Sequence, residues 1–124
     1  MDNGAEAVCV LLADGVWGSP LHAMRSLARG GVRAYVATTP GGSAILGRSR
    51  SCAGALEIDA AEPTELRRAV TGWMDREAPE GIVVVIPLSD RFAAHLDLER
   101  EHYPGRFRLA IPSSDVLRPL LDKV

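Results

Sequence analysis

Ser89 and Asp90 stand directly after the most apolar stretch of this 124-residue chain, Ile82-Val83-Val84-Val85-Ile86-Pro87-Leu88. A hydroxyl and a carboxylate at the end of a buried strand are placed to cap the helix that follows. In an open α/β sheet the same position also faces the ligand crevice. A second candidate is Ser49-Arg50-Ser51-Cys52. An arginine beside a sheet edge holds an anionic group through its planar fork, although a charged loop is often no more than a solvated connection. A third is the glycine-containing loop Asp14-Gly15-Val16-Trp17-Gly18. It joins an apolar stretch to a helix signal, which is how a nucleotide-binding half begins.

Other chemistries fail on spacing. A dinucleotide site needs G-x-G-x-x-G after the first strand and an acid near the end of the second. Here the first loop carries Gly15 and Gly18 only, and the second strand ends in Thr38-Thr39. There is no Gly-Lys-Ser/Thr phosphate loop, and Asp14 lacks the neighbouring acid that a receiver domain pairs with it. Cys52 is not followed by the arginine of a cysteine phosphatase, since Ala53 to Asp59 hold none. His22, His95 and His102 are scattered, so neither a metal cluster nor a catalytic set is expected. Cys9, inside an apolar run, reads as an inert core thiol. Two cysteines without a Cys-x-x-Cys pair make no disulfide framework, so a reduced, cytoplasmic setting is expected. Net charge is -2, with no basic block, which argues against nucleic acid as a partner. The apolar runs fall far short of the roughly 18 residues of a membrane span, and no signal-peptide core is present.

The elements that must position these residues follow from periodicity and punctuation. Residues 7–13 read as a first buried strand. Ser19-Pro20 opens a helix with Leu21, Met24, Leu27 and Ala28 on one face, and Gly30-Gly31 ends it. Arg33 to Thr38 is a second strand, and residues 55–59 are a short third. Pro63 opens a helix whose stripe is Leu66, Val70, Trp73, Met74 and Glu77. Ile82 to Ile86 are β-branched without interruption, which suits a strand covered on both faces, with Val84 fully buried. A helix from Ser89 to His102 follows, with Phe92, Leu96 and Tyr103 inward. Phe107 to Ile111 make a last strand, and a final helix from Ser113 carries Pro119, which should bend it. Its Leu117, Leu120, Leu121 and Val124 are exposed unless they pack on the domain or a partner, so a homo-oligomer or a frayed end is expected. The chain therefore reads as a single α/β domain over 1–124. Its sheet is mostly parallel, with helices on both faces.

Four places, taken together, resemble the N-terminal, pre-ATP-grasp domain of ATP-grasp ligases, in the carboxylate–amine ligase and carbamoyl-phosphate-synthase-like group. They are Arg25-Ser26-Leu27-Ala28-Arg29-Gly30-Gly31-Val32, Ser49-Arg50-Ser51-Cys52, Ile86-Pro87-Leu88-Ser89-Asp90 and Leu120-Leu121-Asp122-Lys123. Ser51 stands where the family usually has an aromatic residue, and Pro119 departs from the family's final helix. The resemblance implies a Rossmann-like half that forms the substrate side of a ligase. Such a ligase activates a small carboxylate as an acyl phosphate for attack by an amine or thiol. It implies that Lys123 reaches the nucleotide phosphates, and that loops at the carboxyl ends of the strands face the substrate. Those loops hold Gly15, Gly18, Arg50, Ser89 and Asp90. ATP and magnesium then belong to the complete enzyme, whose C-terminal ATP-grasp domain is this domain's partner. No catalytic residue, cofactor or activity is expected for this fragment alone. The alternative is a stand-alone small-anion-binding or regulatory α/β module using the same edge.

Overall fold

The structure, a computed structural model, describes residues 7–14, 19–40, 49–58 and 62–121. Its elements in chain order are β1 (Val8–Ala13), α1 (Ser19–Arg29), β2 (Arg33–Thr38), β3 (Cys52–Glu57), α2 (Pro63–Glu77), β4 (Val83–Pro87), α3 (Asp90–Leu98), β5 (Phe107–Leu109) and α4 (Ser114–Leu121). The five strands form one sheet in the order β3-β2-β1-β4-β5, and every pairing is parallel. The fold is a Rossmann-like, three-layer α/β domain with helices on both faces. The strand that sequence reading centres on, β4, is interior, but the middle of the sheet is β1. All six residues of β1, Val-Cys-Val-Leu-Leu-Ala, are buried.

Alternation along the strands divides the core in two. Leu11, Ala13, Ala34 and Val36 face α1 and pack around Met24. Val8, Val10, Leu12, Tyr35, Val83, Val85 and Phe107 face the other way, toward α2 and α3. Of the expected α2 stripe, Leu66, Val70, Trp73 and Met74 are buried, while Glu77 is exposed. Trp73 meets the Tyr35 ring edge-on, with centroids 5.5 Å apart. Gly54 on β3 lies beneath that ring, and a Cβ there would sit 3.1 Å from Tyr35 Cδ2.

The turns have local causes. Gly31 adopts φ 80°, which only glycine takes without strain. Val32 N–H donates to the Leu27 carbonyl and Gly31 N–H to the Ala28 carbonyl, so α1 ends in a paired Schellman cap. Gly81, at φ 90°, turns the chain into β4. Arg106 donates to the carbonyls of Ala78 and Gly81 and to Asp75, which fixes that turn against the start of β5.

Several expectations are corrected. Val84 is half-buried rather than enclosed, and Ile82 is 40 % exposed. Both lie on the α1 side of the sheet, where α1 packs over β1 and β2, whereas the α2 and α3 side buries Val83 and Val85. β3 begins at Cys52, three residues earlier than expected, and β5 stops at Leu109. The helix expected to reach His102 ends at Leu98, and a separate 3-10 turn spans Arg100–His102. Glu99 leaves helical geometry at φ -108°, ψ 11°, and its carboxylate accepts from Arg67 Nε at 2.8 Å. Of the apolar residues expected to be exposed unless packed, Leu117 does pack on the domain, with α4 beside α3. Pro119 lies inside α4, where the sequence pattern places it.

Candidate functional site

Where the strand order of a parallel sheet reverses, the loops leaving the two flanking strands diverge. A crevice opens outside their carboxyl ends. Here the chain runs outward from β1 to β2 and β3, then returns through α2 to β4 on the other side of β1. The reversal therefore lies between β1 and β4. The two strands are in register to their ends, with Leu12 opposite Pro87, and Leu88 N–H donates to the Leu12 carbonyl at 2.9 Å. Asp14 follows β1 directly, and Ser89 to Arg91 lead from β4 into α3. The end of β2 joins them through Thr39 N–H, which donates to the Ala13 carbonyl at 3.3 Å.

Ser89 is the residue that caps α3. It is extended, at φ -147° and ψ 156°, and its hydroxyl oxygen accepts from Phe92 N–H at 3.2 Å. This satisfies one of the free donors of the first turn. Asp90 is then released from capping. It lies exposed in that first turn, where a negative charge complements the helix dipole. Thr38 is fully buried, and its hydroxyl donates to the Thr39 carbonyl at 3.3 Å.

The charged feature of the crevice is a pair that sequence reading did not assemble. Arg91 Nε donates to Asp14 Oδ2 at 3.1 Å and Arg91 Nη2 to Asp14 Oδ1 at 3.2 Å. These residues are 77 positions apart, Asp14 directly after β1 and Arg91 in the first turn of the helix that follows β4. The guanidinium also lies over the Phe92 ring, 4.9 Å from its centroid, and Phe92 is fully buried. The available signal was Arg91 itself. A cation in the first turn opposes the helix dipole and so calls for a nearby acid.

The remaining candidates separate. Arg50 precedes β3, and in an all-parallel sheet every residue entering a strand lies on the amino edge. Arg50 is accordingly brought beside Gly31, Arg33 and Cys52, in an open groove of about 300 Å³, and not beside Asp90. The expectation that Arg50, Ser89 and Asp90 share one edge is corrected on that ground. Gly15, Gly18 and Lys123 lie outside the described residues. Cys52 donates its thiol to the Gly54 carbonyl at 3.1 Å, and burial pushes its pKa up despite that backbone contact. Burial likewise raises Cys9. Neither sulfur is poised as a thiolate nucleophile.

Among the described residues, no three His, Cys, Asp or Glu side chains are grouped to hold a metal ion. No helix among them is long and apolar enough to cross a membrane. No protein-family model, curated protein or solved structure matches the chain.

Proposed function

We propose that this domain is the substrate-side, N-terminal part of an ATP-grasp ligase. The ligase would join a small carboxylate to an amine or thiol through an acyl phosphate. The observation that carries the reading is the reversal of strand order between β1 and β4. There Ile86-Pro87-Leu88-Ser89-Asp90, one of the four family-like motifs, brings the start of α3 against the end of β1. The order of those motifs along the chain supports the same assignment. On this reading the domain binds and orients the carboxylate. The nucleotide and magnesium are held by the ATP-grasp domain that is its partner, with Lys123 contributing from the junction. The described residues of this domain offer no acidic set for magnesium, so no step is assigned to them through that ion. A reducing cytoplasm suits the free thiols of Cys9 and Cys52.

The test uses the protein encoded by the complete reading frame, with ATP, magnesium, a panel of small carboxylic acids and hydroxylamine, which traps acyl phosphates as hydroxamates. The expected result is hydroxamate formation that requires both ATP and one class of acid. The 124-residue chain alone should form none. Turnover of ATP by the pure chain, lost on changing Asp90, would refute the reading. So would a full-length protein without any acid-dependent ATP turnover. The latter result, with anion binding retained, leaves the stand-alone anion-binding module.

A further inference from the structure

Arg91 is placed against ordinary helix electrostatics. It occupies the first turn of α3, where the N–H groups and the macrodipole favour an anion and disfavour a cation. Its partner Asp14 offsets that cost only loosely. The two bonds measure 3.1 and 3.2 Å, and the side chains are 44 % and 35 % exposed. The Arg67–Glu99 pair, which ties α2 to the end of α3, is closer at 2.8 Å and more enclosed, at 23 % and 14 %. Arg100 and Arg106 also serve as ties, each bonding a carboxylate together with backbone carbonyls. Among the described residues, Arg91 makes no such second anchor to a carbonyl. Its hydrogen-bond partner among them is Asp14, both side chains are partly open to water, and its guanidinium lies over the Phe92 ring, 4.9 Å from the centroid. Its Nε and Nη2 already donate side by side to one carboxylate, the group that a planar guanidinium fork matches.

We propose that Arg91 is the receptor for the carboxylate group of a small organic acid, and that Asp14 occupies this receptor in the free protein. The assignment rests on the crevice being the substrate side, as set out above, and it names the side chain that recognises the acid. An incoming carboxylate takes both guanidinium donors, and the α3 N-terminus adds to the attraction. Asp14, released to water, turns from partner into a competitor of like charge. That competition yields a sign that no purely structural ion pair would give: removing the Asp14 charge should tighten binding.

The test is a titration of the labelled 124-residue chain with sodium acetate at fixed ionic strength. The Arg91 Nε–H and Phe92 amide resonances are followed by NMR, and parallel arms use chloride and orthophosphate. Saturable shifts at these two sites are expected with acetate and not with chloride. Asp14→Asn should bind acetate roughly three- to tenfold more tightly, as expected for removing an exposed ionic competitor. Arg91→Gln should lose the saturation, and Arg91→Lys, which keeps the charge without the fork, should bind more weakly than wild type. Equal or weaker binding by Asp14→Asn overturns the proposal, as does acetate behaving like chloride. Orthophosphate saturating at lower concentration than acetate overturns the carboxylate assignment in favour of a phosphoryl group. The ligase reading is judged separately by hydroxamate formation, so each idea can fail without the other.

Discussion

Replacing Tyr103 by phenylalanine should stabilise this domain. Tyr103 follows the 3-10 turn after α3, and its ring packs against Phe107 with centroids 5.9 Å apart. Its hydroxyl is buried and has no hydrogen-bond partner among the described residues. Burial pushes the phenol's pKa far above its usual value. The nearby Arg67 charge opposes that shift, and the Glu99 charge adds to it. An unsatisfied buried hydroxyl costs about 1–3 kcal/mol, and removing it while keeping the ring leaves the apolar contacts in place. The ring is only partly enclosed, so the lower end applies, and Tyr103→Phe should gain about 1 kcal/mol. For a domain of this length that gain corresponds to about 4 °C in Tm. Ionisation gives a second readout. The folded pKa is raised, so the protonated phenol's contribution is complete below the unfolded value, about 10, and is lost as pH climbs through the folded one. The phenylalanine variant has no such loss, so its advantage should widen above about pH 10. The assay is urea denaturation of both proteins from neutral pH into that alkaline range. A variant that is less stable than wild type at neutral pH would mean the hydroxyl has a partner, and the argument would fall.

Two further outcomes test the packing and the ion pairs. Val85→Ala, at a fully buried position of β4, should cost about 1–3 kcal/mol, whereas Val84→Ala, half-buried on the α1 side, should cost about half as much; equal losses in denaturant midpoint would contradict the two-sided description of β4. Hydrogen bonding from Arg67 holds the Glu99 carboxyl below its usual range, outweighing the effect of burial, with the Arg67 and His102 charges and Thr64 adding to it. That stability is present above the unfolded carboxyl pKa and lost as pH falls through the folded one, so wild type should weaken below about pH 4 to 5. Glu99→Gln should be weaker at neutral pH and converge with wild type in acid, and parallel pH curves would refute the pairing.

Much of this fold is legible because single residues punctuate it. Gly30-Gly31 ends α1 at a left-handed cap, and Pro63 begins α2 at its first turn. The spacing of Leu66, Val70, Trp73 and Met74 fixes which side of α2 faces the sheet. What a run such as Ile82 to Ile86 does not encode is what covers each face. Alternating residues of a uniformly β-branched strand look alike, and only the lie of α1 relative to α2 and α3 exposes Val84 and Ile82 while burying Val83 and Val85. The end of α3 was hidden for a similar reason. Leu98 and Glu99 suit a helix, and a long-range bond from Arg67 accompanies the chain's departure from it.

The carboxyl edge of the sheet was legible in half. Ser89 and Asp90 are in place because a strand, a stop and a cap are local signals. Arg50 is misplaced by sequence reasoning because polarity near a strand does not say which end of the sheet the strand presents. The order of elements does say so. A residue two positions ahead of a parallel strand belongs to the amino edge, and the carboxyl edge collects the residues that follow Ala13, Thr38 and Pro87. Applied to the sequence, that rule selects Asp14 and Arg91 as well as Asp90. An arginine at the start of a helix then requires an acid within reach, and Asp14 follows the adjacent strand. The ion pair at the crevice is thus a consequence of strand order and helix polarity together, which is why neither motif spacing nor composition reveals it.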